Sequence, residues 1–229
     1  MNQKTLVPTD NYYSKPREEG QNIYDLWEEG KAYQDSITLG IYTPQYRKFI
    51  TSRIQSLVDY DYSKPILSVG SGNAFVERDL HSSGYSILAS DPNPDAMQMA
   101  KQKGVPFVLA DVNQWEPQEK NWALIYCDGV MGHLYQPEVG FQKLFSRLRS
   151  WLLPNSGKIL ISNDAAVIDA SVHPHPHVQG FYWFSPQYLS SELSQAGFEE
   201  IESEIFVYPR PLTGNKERVI VQATVGIKN

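Results

Sequence analysis

ILSVGSGNAFVERDL, residues 66–80, passes from a short apolar run through two glycines into a helical spacing. Ile66 to Val69 reads as a buried strand, and Phe75 onward as an amphipathic helix. Between them, Gly70 and Gly72 let the backbone turn sharply and let a ligand approach the main chain without meeting a side chain. A strand that enters a glycine loop and then a helix opens a parallel α/β unit whose loop forms a pocket wall.

The same rhythm continues toward the C-terminus. Apolar runs at Ile87 to Ala89, Phe107 to Ala110, Ala123 to Tyr126 and Lys158 to Ser162 alternate with stretches that predict helices over Phe75 to Ser83, Asp95 to Lys103 and Gly140 to Leu153. Such alternation implies parallel strands buried by crossover helices. In LLPNSGK, Pro154 and Gly157 stop the last of these helices before the next strand. Beyond Asp164 the segment AAVIDASVHPHPHVQGFYW lacks a period, and a helix opened by Ser185 and Pro186 and closed at Gly197 follows it. Strands near Ile201 to Tyr208 and Arg218 to Val225, joined by the turn PLTGN, finish the chain.

Toward the N-terminus, Ile23, Leu26, Trp27 and Tyr33 predict a helix from Asn22 to about Asp35, and Phe49, Ile50, Ile54 and Leu57 predict another over Pro44 to Asp59. Residues 1–20 have no clear period and read as an arm or mobile lid. The expected organisation is one domain over 1–229: arm and helical cap to residue 60, core from 61, and a lid insertion near 165–184.

Charge and composition narrow the partners. Twenty Lys+Arg against 26 Asp+Glu give a net charge of −6, which argues against a broad phosphate-binding surface. The single cysteine, Cys127, has no internal partner and reads as a buried strand residue suited to a reducing compartment. No signal-peptide core and no run near the ~20 apolar residues of a membrane span is present, so the cytoplasm is the expected location.

Two acids stand where the chemistry should be. Asp91 ends the second strand about 20 residues beyond the glycines, where a carboxylate accepts hydrogen bonds from both hydroxyls of a ribose. Asp111 ends the third strand on the same edge, and ligands of open α/β sheets bind beyond the carboxyl ends of the strands. A nicotinamide fingerprint is excluded at its last glycine, where bulky Phe75 stands.

In these landmarks the chain resembles the class I S-adenosylmethionine-dependent methyltransferases over roughly residues 65–198. Gly70, Ser71 and Gly72 match the family's glycine loop, Asp91 its ribose acid and Asp111 its adenine-side acid. CDGVMGHL matches the segment after strand four, LLPNSGKIL the family's LKPGGxL pattern, and YLSSELSQAGF its closing helix. The resemblance implies a Rossmann-like seven-stranded, mostly parallel α/β sheet of order 3-2-1-4-5-7-6, with strand 7 antiparallel, helices on both faces and an N-terminal helical cap. It also implies S-adenosyl-L-methionine as cofactor, with contacts from Ser68, Gly70, Ser71, Gly72, Glu77, Asp91, Pro92, Asp111, Val112 and Asp128.

Two positions depart from the family. Ser68 stands where an acid usually helps to hold the cofactor's ammonium, and Glu77, on the first helical turn, is the candidate replacement. Ala74 replaces the third glycine, a change an ordinary helical backbone tolerates.

For the acceptor, His133 in VMGHL is the candidate general base, since imidazole titrates near neutrality. His173, His175 and His177 alternate with prolines; with no supporting acid or cysteine they read as a solvent-exposed or substrate-facing loop, and no metal is expected. Aromatic residues cluster before the sheet, from Tyr12 to Tyr46, and again at Phe181 to Phe184. Tyr24, Trp27, Tyr33, His175, Tyr182 and Trp183 are the expected substrate contacts. The expected activity is N- or O-methylation of a small hydrophobic or aromatic specialised metabolite, with neither nucleic acid nor membrane as partner and the oligomeric state open. A protein or RNA methyltransferase and a noncatalytic cofactor-binding protein are the alternatives.

Overall fold

The structure is a computed structural model that describes residues 7–8, 13, 20–33, 35–167 and 169–227. Tyr12 and most of the expected arm lie outside the described residues.

Seven strands form one sheet: β1 Ile66–Val69, β2 Ile87–Asp91, β3 Phe107–Leu109, β4 Leu124–Asp128, β5 Lys158–Asp164, β6 Phe198–Arg210 and β7 Gly214–Val225. Their order is β3-β2-β1-β4-β5-β7-β6, and β7 runs antiparallel to both neighbours while the others are parallel. The Rossmann-like expectation, including the reversed strand, holds. Central β1 is buried at all four positions, as its unbroken apolar run requires of a strand covered on both sides.

Alternation along the strands assigns each side chain to a face. Leu67, Val69, Ile125, Cys127, Ile159, Ile161, Val219 and Val221 pack against helices α7 (Gln142–Trp151) and α8 (Pro186–Gln195). Ile66, Ile87, Leu124, Tyr126, Leu160 and Ile220 turn to the other face, against α3 (Pro44–Leu57) and α4 (Phe75–Ser82). Helix α5 (Pro94–Gln102) covers β2 through Ala100 and meets the cap helix α1 (Ile23–Glu28) through Ala96 and Met99. Two four-residue helices, α2 (Leu39–Tyr42) and α6 (Met131–Leu134), lie before α3 and after β4. Among the described residues no helix is long and apolar enough to cross a membrane.

The helix ends follow their sequence signals. Asn22 and Asp25 form a reciprocal capping box on α1. Ser185 caps α8 through Tyr188 N, with Pro186 in the first turn.

Three expectations change. The helix expected from Asn22 to Asp35 ends at Glu28, because Gly30 at φ +72° leaves the helical region. The aperiodic stretch after Asp164 contains a short antiparallel hairpin, Val172–Pro174 with Tyr182–Phe184, and Val178–Gln179 pairs in parallel with Val7–Pro8. Ala74 is left-handed (φ 56°, ψ 40°) rather than ordinarily helical, so its methyl group sits in a conformation that disfavours side chains.

Candidate functional site

The glycine loop, the carboxyl ends of β2 to β5, the cap and the hairpin surround one cavity of about 1400 Å³. Small-ligand pockets usually occupy roughly 300–1,000 Å³, so this space can hold two molecules end to end.

At one end the backbone forms the wall. Gly70 N donates to Ser90 O at 2.8 Å and lies at φ +73°, and a Cβ built there would stand 2.5 Å from the Val130 side chain. Only glycine lets the loop pass this close to the start of α6. Gly72 N donates to Asp91 Oδ2 at 3.1 Å, and Asn93 N donates to Asp91 Oδ1 at 2.9 Å. Burial raises the Asp91 carboxyl above its usual range, and these two backbone donors oppose the shift. The carboxylate is thus fixed in place at the cavity wall. Ser71 Oγ and Asn73 Oδ1 are buried here without a partner among the described residues.

Ser68 and Glu77 form a buried pair behind the loop. Ser68 Oγ donates to Glu77 Oε1 at 2.5 Å, and the residues are 1% and 3% exposed. Burial pushes the Glu77 carboxyl up to about 7, with hydrogen bonds from Ser68 and the backbone opposing and the charges of Asp128 and Asp91 adding to the rise. Glu77 lines the cavity, whereas Ser68 stands behind it.

Pro92, Asp111 and Val112 border the same end. Asp111 Oδ1 accepts from Asn113 N at 2.9 Å and Oδ2 from Gln114 Nε2 at 3.2 Å, which holds the carboxylate at the end of β3. Tyr24 stands against Gly72 and Asp91, and burial together with the Asp91 charge raises its phenol well above the usual value. Sequence reasoning placed Tyr24 with the acceptor; its neighbours are the glycine loop and the acid of β2. Asn73, fully buried, donates to Tyr24 O at 3.0 Å and to Glu28 Oε2 at 2.8 Å, fastening the cap to the loop.

Under the end strands lies a charged network. Arg218 pairs with Asp128 and Asp164 and donates to Ser162 Oγ at 2.6 Å. Arg210 also pairs with Asp164, and Tyr208 donates to it at 2.5 Å. Asp128 therefore faces the cavity while bound to Arg218 and to the Tyr126 hydroxyl at 2.8 Å. No sequence pattern flagged the two arginines, because strand pairing alone brings them to Asp164.

The other end is aromatic. His133 Nε2 lies 2.6 Å from the Tyr13 hydroxyl, its Nδ1 is buried without a partner among the described residues, and its ring is 4.4 Å from Phe181. Burial, with a smaller contribution from His175, pushes the His133 imidazole down to about 4. Gly132 makes the contact possible, since a Cβ there would meet Phe181 and Tyr182 O at 2.5 Å.

His175 Nδ1 accepts from His177 N and Val178 N at 3.0 and 3.1 Å, so it shapes its own turn while lining the cavity. Among the described residues no three His, Cys, Asp or Glu side chains are grouped to hold a metal. Trp183 and Tyr33 line the cavity, and Trp27 does so with its indole donating to Ser36 O at 3.3 Å.

Tyr182 is a correction. Strand alternation turns it away from the cavity onto Tyr135 at 4.9 Å, in the core beneath α7 and α8. Phe181 and Trp183 share the opposite face, so Phe181 stands where Tyr182 was expected; the period of two in FYW carried that signal. Tyr13 was missed as a partner of His133, because nothing local links residues 120 positions apart.

With this geometry the chain compares with known proteins as follows. A family described as "Methyltransferase domain" matches residues 42–203. A tabtoxin biosynthesis enzyme of Pseudomonas amygdali pv. tabaci is 35% identical over 225 residues, covering 96% of this chain and 88% of the relative. The solved 1,6-didemethyltoxoflavin-N1-methyltransferase of Burkholderia thailandensis, with 1,6-didemethyltoxoflavin and S-adenosylhomocysteine bound, superposes with a TM-score of 0.62 at 19% identity, over 88% of this chain and 84% of that one. An S-adenosylmethionine-dependent methyltransferase of Methanosarcina mazei gives a TM-score of 0.61 at 15% identity, over 73% of this chain and 95% of that one.

Proposed function

Because the chain belongs to the methyltransferase domain family, with the class I fold of S-adenosylmethionine-dependent enzymes, we propose that it methylates a nitrogen or oxygen of a small, largely apolar or aromatic metabolite. One observation supports this most: a single cavity runs from the fixed carboxylate of Asp91 to the ring-lined chamber at His133. The likeness to a toxin biosynthesis enzyme favours a specialised metabolite as acceptor. A protein or RNA acceptor finds less support, since the net charge of −6 offers no broad attraction for phosphate. A cytoplasmic setting accords with the buried, unpaired thiol of Cys127.

The residues present fit S-adenosylmethionine. Asp91 can accept from both ribose hydroxyls, the backbone at Gly70 and Gly72 leaves room for close approach, and the unpartnered Ser71 Oγ offers a further hydrogen bond. Pro92, Asp111 and Val112 would border the adenine, and Asp128 lines the same cavity. Glu77, supported by Ser68, supplies the carboxylate for the ammonium that the family's missing acid would otherwise provide. When bound, the cofactor supplies an electrophilic methyl on a sulfonium, so catalysis consists mainly of alignment and exclusion of water.

The chain's part is to hold the acceptor in line. His133 is neutral at physiological pH, and storing a proton there near pH 7 would cost about 4 kcal/mol for a group near 4. In the tautomer whose Nε2–H donates to the Tyr13 hydroxyl, Nδ1 can accept from the acceptor's N–H or O–H, orient it and take the proton only in passing. A neutral amine or an already ionised oxygen suits such a site better than an aliphatic alcohol.

Calorimetry with S-adenosylhomocysteine tests the cofactor end. Asp91→Ala should weaken binding about 10- to 100-fold, at roughly 1.5–3 kcal/mol for a charged hydrogen bond; parent affinity would remove the ribose from Asp91. His133→Ala should lower kcat while leaving that affinity within about twofold, and an undiminished kcat would take His133 out of the reaction.

A further inference from the structure

Two donors at the far end of the cavity, one buried and one half-buried, have no hydrogen-bond partner among the described residues. Trp183 is 8% exposed, lines the cavity, and its indole Nε1 has no hydrogen-bond partner among the described residues. An indole N–H can only donate, and a buried donor left unpaired is destabilising. Beside it stands Lys216, whose Nζ lies 5.4 Å from the centroid of the Trp183 ring and makes neither ion pair nor hydrogen bond among the described residues.

The two neighbouring arginines are already matched. Arg210 and Arg218 are tied to Asp164 and Asp128, and Arg210 Nη1 also donates to Asp35 O at 2.6 Å. Glu217 also borders the cavity, but alternation along β7 sends its side chain to the sheet face opposite Lys216. Lys216 is therefore the lining cation that lacks an anion among the described residues.

We propose that Trp183 and Lys216 form the seat for a carboxylate on the methyl acceptor, so that the substrate is a small organic acid. This deepens the methyl-transfer reading and rests on it. The acid group would lie against the indole N–H and the ammonium, and the body would extend along His175 and Phe181. The His175 ring is 5.0 Å from Trp183 and 5.6 Å from Phe181, and Phe181 is 4.4 Å from His133, where the methylated atom would sit. A carboxylate fits better than a phosphate dianion, because one uncompensated ammonium matches one negative charge. The seat also accounts for the histidine-proline segment, since His173 stacks on Trp183 at 5.4 Å and 14° and so holds the indole plane.

The test uses the full chain saturated with S-adenosylhomocysteine and titrated calorimetrically with benzoate, phenylacetate and glutarate, each against its primary amide, and with phenyl phosphate. At least one acid should bind, about tenfold or more tighter than its amide and than phenyl phosphate. Trp183→Phe and Lys216→Met should each weaken that acid about tenfold or more, as a charged hydrogen bond of roughly 1.5–3 kcal/mol implies, while S-adenosylhomocysteine affinity stays within about twofold of parent; Lys216→Arg should restore most of it. Circular dichroism melts confirm that the variants fold. Equal binding of acid and amide, tighter binding of phenyl phosphate, parent affinity in both variants, or no acid bound by a chain that binds S-adenosylhomocysteine would each overturn the seat. Failure to bind S-adenosylhomocysteine would overturn methyl transfer itself, and the seat with it.

Discussion

Gly70 shows how little freedom one position can have. Its φ of +73° disfavours any side chain, and Val130 occupies the space a Cβ would need. Gly70→Ala should cut S-adenosylhomocysteine affinity about tenfold or more and lower the melting temperature; parent values in calorimetry and melting would mean that the loop can move away from Val130. Ala74 is the milder case. It holds a left-handed conformation at about 1–2 kcal/mol, and it is buried with Ala89, Ala100 and Val105, so the missing glycine strains the loop. The sequence told where a residue departs from the family, and only the backbone angle told what that departure costs.

Between β1 and α4 the Ser68–Glu77 pair links stability to pH. Glu77 is raised from 4.5 to about 7 by burial. The unfolded chain gives up this proton first, so between those values the folded state binds one more proton and stability falls as pH rises, by about 3 kcal/mol at most. Below the lower value the penalty is absent, and above the upper it is complete. Glu77→Gln should flatten this slope in urea unfolding of the cofactor-free protein at about pH 5 and about pH 8; an unchanged slope would assign it to another group. The strands and helices around this pair were legible because each carries its own period within a few residues. The hairpin of Val172–Pro174 with Tyr182–Phe184 was not, since three-residue strands leave almost no period. Phe181 and Tyr182 were confused because the alternation in FYW separates two faces without saying which of them meets the cavity.

Across the whole molecule, contacts distant in sequence decide how the site is held. Arg218 joins β7 to β4 and β5 through the part-buried carboxylate of Asp128 and the buried one of Asp164. Arg218→Met would leave both without their shared partner, at about 3–5 kcal/mol; a loss under about 1 kcal/mol in urea unfolding would show that these ions are effectively solvated. Neither this network nor Tyr13 beside His133 could be read from local pattern, because each depends on which segments the topology brings to one edge. Asn73 belongs to this scale too, since it spends its amide on the cap helix instead of on its own loop. The cap helix and the glycine loop are thereby riveted together, and Lys103 adds an ion pair to Glu28 at 2.5 Å. With the cofactor placed as proposed, escape of the spent donor by that route would compete with the rupture of two hydrogen bonds, and Asn73 would lengthen its residence.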